Sequence, residues 1–439
     1  MSLFGIAWRT IRQRLLTSLL TSLSLALGVA LVVATLVTGG VVKQAFESGS
    51  GLGYNMIVGA KGSPLQLVLN SVYLISKPIE NISWDFYQQF LPAAQRPDGT
   101  DGTFAASTKT AVPICMGDYF RGFRVIGTNT AYFDRLTIGA GEPFRFVSGR
   151  NFRDEEFYGS VLGATVAANL GLRVGDAFAP THGADDGKVH DPFTVTGVLA
   201  RTDTPVDRGV FVNMEGFYLQ DGHAKPLDGD DESDRRKTGS VAGLAGHEPL
   251  PFEQREVTAL LLDTASLPGL PAELTAMGLR TAINEGRDGQ AALPIAEIRQ
   301  LLDLFVRPLE LLLLLVTALV VIVSSMGILV SMVSSSLERS RDVAIMRALG
   351  ARRSHVLATV LIEAVLLAVG GGLAGWVLGH LLVGAIGPLI TTNAGVSASI
   401  FSAAPAAEAL LVPFLVVLAV VAALLPAMAA YRTDVSKWL

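Results

Sequence analysis

Four long apolar runs divide a chain whose remaining stretches alternate short hydrophobic segments with polar turns. The first, Leu15 to Val42, holds 28 residues without a charge, and the second, Leu311 to Leu337, holds 27. The third, Val356 to Gly387, carries Glu363 and His380, whereas the fourth, Ala409 to Tyr431, carries no charge. Since a helix rises about 1.5 Å per residue, about 20 apolar residues cross the roughly 30 Å of bilayer hydrocarbon, and each run suffices. Arg9, Arg12 and Arg14 precede the first run as they would precede a secretion signal. A signal's apolar region is only about 7–15 residues, however, and no small-residue cleavage site closes this run before Lys43. It reads as an uncleaved membrane helix.

Residues 43–306 follow a different pattern. Gly159–Gly163, Phe193–Leu199 and Val210–Val212 are short apolar stretches bounded by Gly, Asp or Pro, as strands between turns are. Ala164–Leu172 reads as a short helix stopped by Gly171, and Arg173–Asp176 as the turn after it. The expected fold is a membrane protein: four transmembrane α-helices, with a large extracytoplasmic α+β domain of two lobes between helices one and two. The boundaries are 1–14 (N-terminus), 15–42, 43–306, 309–337, 338–355 (connecting segment), 356–387, 388–408 (outer loop), 409–431 and 432–439 (C-terminus).

Charge orients these spans. Basic residues near the spans cluster before helix one (Arg9, Arg12, Arg14), between helices two and three (Arg339, Arg341, Arg347, Arg352, Arg353) and after helix four (Arg432, Lys437). By the positive-inside rule all three segments are cytoplasmic, as are both termini. Residues 43–310, with 24 Lys/Arg against 34 Asp/Glu, lie outside. A net charge of −5 argues against a nucleic-acid binder, and a single cysteine excludes a disulfide framework within the chain.

Little in the large domain points to chemistry. The stretch 221–249, including Asp228–Asp234, is rich in Asp, Gly, Lys and Arg and reads as a solvated, mobile loop. Its acidic residues lack the spacing of an EF-hand. His182, His190, His223 and His247 are scattered, with no i,i+4 pair or H-E-x-x-H frame, so no metal site is expected. Cys115 reads as a buried small apolar residue. No Gly-x-Ser-x-Gly elbow occurs, and no catalytic residues are assigned. Nor is there a Gly-x-x-x-x-Gly-Lys-[Ser/Thr] loop; the Gly-rich stretch Gly370–Gly375 lies in a membrane run with no strand before it.

The segment after helix two is more informative. Val343, Met346 and Leu349 repeat every three residues, with Ile345 beside Leu349, while Arg339, Arg341, Asp342 and Arg353 fall largely on other faces. The pattern predicts a short amphipathic helix, and Gly350 suits the left-handed residue that would end it. Glu338-Arg-Ser-Arg-Asp-Val-Ala-Ile-Met-Arg-Ala-Leu-Gly-Ala-Arg-Arg353 resembles the motif of the FtsX/MacB/LolC-type ABC transporter permeases. Ser160–Asp176 is similar to that family's periplasmic core domain, Pro426–Val435 to its C-terminal ending, and Asn55–Leu69 to one subgroup. The order of one helix, a large domain and three helices matches along nearly the whole chain.

The resemblance implies an inner-membrane permease dimer, homo- or heteromeric, driven by a separate ABC ATPase dimer that binds ATP and Mg; this chain itself binds no cofactor. It also implies that the ATPase presses on a coupling helix, comprising Glu338, Arg339, Arg341, Asp342, Ile345, Arg347, Leu349, Gly350 and Ala351. Other expected partners are a periplasmic adaptor or substrate-binding protein and membrane lipid. The cargo class is a lipid, lipoprotein, peptide or hydrophobic small molecule, exported or extracted by mechanotransmission. The alternative is an FtsX-like signal transmitter acting on an extracytoplasmic hydrolase or sensor. Gly371, Gly375 and Gly379 recur every four residues and form a close-packing face, expected against helix four or a second protomer. Glu363 is read as an acid at the inner membrane interface, because Ala364–Ile386 spans without it.

Overall fold

The computed structural model describes residues 2–49, 52–139, 141–183, 187–225, 248–338, 345, 350–394 and 405–432. The chain divides into two compact units, one spanning Gln44–Leu302 and one built from the helices before and after it.

Eleven strands among the described residues of the first unit form one sheet. They are β1 Met56–Gly59, β2 Thr108–Phe120, β3 Phe123–Thr128, β4 Phe146–Gly149, β5 Gly159–Leu162, β6 Ala177–Phe178, β7 Thr181–His182, β8 Phe193–Leu199, β9 Gly209–Asn213, β10 Ala259–Thr264 and β11 Gln290–Ala292. The order is β11-β1-β10-β2-β3-β9-β5-β8-β4, with β7 added to β2 and β6 to β8. The pairs β3–β9 and β5–β8 are parallel and the others antiparallel.

The pleat sends successive side chains to opposite faces, and here both faces are covered. Met56, Val58, Val210, Val212, Leu260 and Leu262 join a core with Trp84, Phe90 and Leu279. The intervening Ile57, Phe211 and Leu261 join a second core with Val68, Phe152 and Ile298. This corrects the expectation of two lobes: a single sheet carries two cores, one on each face. The central strands therefore read as short continuous apolar runs rather than as alternating ones.

The helix Ala164–Leu170 ends on Gly171, whose φ of 68° and ψ of 19° are left-handed. A Cβ there meets no atom within 4 Å, so only backbone conformation opposes a side chain. Gly171→Ala is expected to cost about 1 kcal/mol, and Gly171→Asn less, read as shifts in the urea midpoint of the purified protein.

Among its described residues, the second unit holds four helices long and apolar enough to cross a membrane. They belong to α1 Leu15–Gly49, α2 Arg307–Glu338, α3 Arg353–Ala394 and α4 Pro405–Arg432, each longer than its apolar run. The chain is already helical from Pro294, with a π turn over Leu302–Val306 leading into α2. The N-terminal arginines do not lie in a simple tail. Leu3–Gln13 is an amphipathic helix capped by the Ser2 hydroxyl, which accepts from the Gly5 N–H at 3.2 Å. It exposes Phe4 and Trp8.

Candidate functional site

A tight group of ionisable side chains lies in the α+β domain. β7 pairs antiparallel with β2, and this register sets His182 directly opposite Asp118. The Gly183 N–H donates to the Gly117 carbonyl at 3.0 Å, and His182 and Lys188 are joined backbone to backbone at 2.9 Å. The His190 N–H donates to the Pro180 carbonyl at 2.9 Å, which returns the chain so that His190 stands beside His182. The fourth residue arrives from the helix Met214–Tyr218, capped by Asn213, whose side chain accepts from the Glu215 N–H. After this helix Gly222 takes a φ of 89°, and His223 closes a turn onto the Gln220 carbonyl. The Gln220 side-chain oxygen accepts from the Asp191 N–H at 2.8 Å, tying the His190 and His223 segments together. Phe217 presses edge-on against the His223 ring, 4.2 Å between centroids.

Four donor atoms converge as a result. Asp118 Oδ1 lies 3.3 Å from His182 Nδ1, 3.5 Å from His190 Nε2 and 3.2 Å from His223 Nε2. Among the nitrogens the separations are 3.2 Å (His182–His223), 3.4 Å (His182–His190) and 3.2 Å (His190–His223). The side chains of Asp118, His190 and His223 are 0%, 1% and 4% exposed, while His182 is 49% exposed and forms the open corner. Both Asp118 carboxylate oxygens are buried without a well-angled donor. Burial opposes ionisation of Asp118, but His190 and His223 beside it outweigh burial and hold its carboxyl down at about 2. Burial also depresses the His223 pKa, against the opposing pull of the Asp118 carboxylate.

Histidines that read as scattered in the sequence are brought together by the fold. Three of the four histidines share one centre, while His247 lies outside the described residues. His223 also falls within the stretch read as a solvated loop, yet it is buried; residues 226–247, with Asp228–Asp234, lie outside the described residues. Nearby, Cys115 is buried as expected. Its Sγ is 3.2 Å from the Tyr218 hydroxyl, and burial pushes its thiol up to about 12, which makes it unreactive.

In the helical unit, Gly371, Gly375 and Gly379 form the close-packing face, but their partner is α1. A Cβ at these positions would meet Ser22 and Leu25, then Ala26 and Val29, then Ala30 and Val33. The expected contact with helix four or another protomer is corrected accordingly. The neighbouring Gly372 faces Leu415 of α4, so α3 packs against both helices. Glu363 is 5% exposed, so it faces into the helix bundle. Glu408 pairs with α3, a contact that no local pattern signals. Its Oε2 accepts from Trp376 Nε1 at 3.1 Å and lies 3.5 Å from His380 Nε2.

Of the expected coupling residues, Arg339, Arg341, Asp342, Arg347 and Leu349 lie outside the described residues. Glu338 ends α2. Ile345 is helical and exposed, Gly350 has the left-handed φ of 98°, and Ala351 follows it just before α3.

Residues 18–260 match the MacB-like periplasmic core domain, and residues 314–435 match the FtsX-like permease C-terminal domain. The first match alone covers more than half of the chain. The chain belongs to the FtsX/MacB-type family of ABC transporter permeases. It is also similar to the macrolide export ATP-binding/permease protein MacB of Bdellovibrio bacteriovorus, with 27% identity over 194 residues, 42% of this chain and 29% of that protein. The chain thus aligns with less than a third of that relative's length. The histidine cluster of this permease lies wholly in the MacB-like domain, and the glycine face of α3 in the FtsX-like part. As in its family, the protein is a membrane protein with a large periplasmic domain.

Proposed function

We propose that this permease is the membrane subunit of an ABC transporter that works by mechanotransmission, with ATP hydrolysis on a partner subunit. The observation that carries the reading is the motif at 338–353, set between two membrane helices of an FtsX-like permease part. A connecting loop that only obeyed the positive-inside rule would need arginines but no ordered apolar face. Hydrolysis is assigned to an ABC ATPase partner, as the family resemblance implies, and the 439 residues given hold no phosphate-cradling loop. Both termini and the coupling segment are cytoplasmic in this reading, on the basic-residue bias of the connections. A pair of permeases then clamps the ATPase dimer.

ATP-driven closure pushes on residues 338–353, and the stroke travels along α2, whose helix begins upstream in the run from Pro294. The spans are too apolar to line an aqueous path, so the work is done on a cargo outside the hydrocarbon or in its outer leaflet. An exported hydrophobic small molecule, lipid, lipoprotein or peptide fits this geometry, and the MacB relative's name favours export over signalling.

The test is ATP hydrolysis by the candidate ATPase with this permease in nanodiscs. Wild type is expected to stimulate hydrolysis several-fold, and Arg347→Glu and Gly350→Pro to abolish the stimulation. A Gly-Gly insertion after Leu337 should leave assembly intact and abolish transport. Stimulation that survives both substitutions, or transport that survives the insertion, overturns the coupling.

A further inference from the structure

The cluster of Asp118, His182, His190 and His223 is a set of donors that hydrogen bonds among its members do not satisfy. A ring nitrogen offers one in-plane position, either an N–H or a lone pair. Here each nitrogen approaches three other donor atoms at once, all at 3.2–3.5 Å. If the three imidazoles were simply donating to the carboxylate, their N–H bonds would aim at Asp118, yet neither of its oxygens receives a well-angled bond. The three nitrogens and Oδ1 instead surround a common point.

The position of that point follows from the six separations, which describe a nearly regular tetrahedron. Its centre lies about 2.0 Å from every vertex, the length of Zn–N and Zn–O bonds in tetrahedral sites. We propose that the MacB-like domain of this permease binds one Zn2+ ion at this centre, through Asp118 Oδ1, His182 Nδ1, His190 Nε2 and His223 Nε2.

The donor chemistry narrows the choice of ion. Three imidazoles and one carboxylate suit Zn2+; Ca2+ and Mg2+ take oxygen ligands in larger number, and Cu+ prefers thiolate or thioether sulfur. Cys115 is not a competing ligand, since its sulfur is engaged with Tyr218 and Glu256. The ligands come from three separate stretches, β2, the segment 182–190 and the turn after the helix Met214–Tyr218, so a bound ion cross-links them. Three ligands are buried and His182 is half exposed, which leaves one side for the ion to enter and leave. A cleft bordered by Gly117, Tyr218 and Glu256 opens beside His182 and His223. The site needs neither ATPase nor cargo, and so it stands apart from the transport reading.

The experiment uses the full-length permease in detergent, stripped with a chelator and dialysed. Zn2+ is titrated against a competing chelator and bound metal is measured by elemental analysis. The expected result is one Zn2+ per chain, with affinity falling more than about 100-fold in His190→Ala and Asp118→Ala, beyond what losing a residue that merely supports a ligand costs. His182→Ala guards against misfolding, because that side chain sits at the open corner. Its metal-free Tm should equal that of metal-free wild type, and Zn2+ should raise the Tm of wild type only. Co2+ in place of Zn2+ should give the intense visible bands of a tetrahedral site, lost in His182→Ala. Folded wild type that takes up no stoichiometric Zn2+, or uptake indifferent to both His182→Ala and His190→Ala, overturns the assignment.

Discussion

Gly375→Leu is expected to destabilise the helical bundle of the permease, whereas Gly370→Leu, five residues earlier on the same helix, is expected to leave it intact. A Cβ at 375 would lie 2.7 Å from the Val29 Cβ and hard against the carbonyl oxygen of Ala26. The obstacle is partly backbone, so no rotamer change relieves it, and trimming Val29 to alanine should not rescue the variant. Gly371 and Gly379, one turn to either side, hold α1 equally close, so the helix cannot tilt away at one point alone. In lipid, helix association rests on such close packing, because apolar surface gains little by leaving hydrocarbon. Overpacking a tight contact costs 1–3 kcal/mol, and about 3 is expected here. At Gly370 a Cβ meets no atom within 4 Å. Size-exclusion profiles and thermal aggregation in detergent make the comparison; equal behaviour of the two variants would contradict the packing described.

The second large effect belongs to the MacB-like domain. The Arg255 side chain is 5% exposed and forms a bidentate pair with Glu215, at 2.8 and 3.0 Å. Its Nε donates to the Leu250 carbonyl at 2.7 Å. The guanidinium also lies over Phe252 and Trp84, at 4.9 and 5.0 Å from the ring centroids. Removing Arg255 strands the Glu215 carboxylate, whose side chain is only 20% exposed, at a cost of about 3 kcal/mol. Arg255→Met should lower stability by that amount, and Arg255→Lys should not restore it, because an ammonium lacks the planar fork. Combining Arg255→Met with Glu215→Leu should recover part of the loss. The remainder, about 1–3 kcal/mol, is the Leu250 carbonyl left without a donor. Urea unfolding followed by tryptophan fluorescence resolves these steps; a double variant no more stable than Arg255→Met would show that the stranded charge is not the cause.

Local signals were legible wherever one segment settles the outcome. Run length against bilayer thickness identified all four spans, because hydrocarbon tolerates backbone only when its hydrogen bonds are internal. The strands at 159–162, 193–199 and 209–213 and the left-handed stop at Gly171 were equally readable, since turn residues punctuate them directly. The motif at 338–353 pointed to the family before the matches to both domains established it.

What depended on pairing between distant segments was not legible. The spacing of Gly371, Gly375 and Gly379 defines a small-residue face, because helical period is a local property. Only the packed bundle shows that α1 covers it, and that Glu363 turns inward. The two-lobe expectation failed for a related reason: strand stretches reveal their own existence but not that one sheet joins them and carries a core on each face. The histidine cluster is the sharpest case. Asp118, His182, His190 and His223 share no motif spacing, and they meet because β7 registers on β2 and a helix-ending turn delivers His223 to the same corner. By itself, then, the chain determined a four-span permease with a large α+β domain. The tertiary structure alone decided which helix the glycines admit and which four donors converge, because strand register and helix docking are set by the whole sheet and bundle and not by any stretch of sequence.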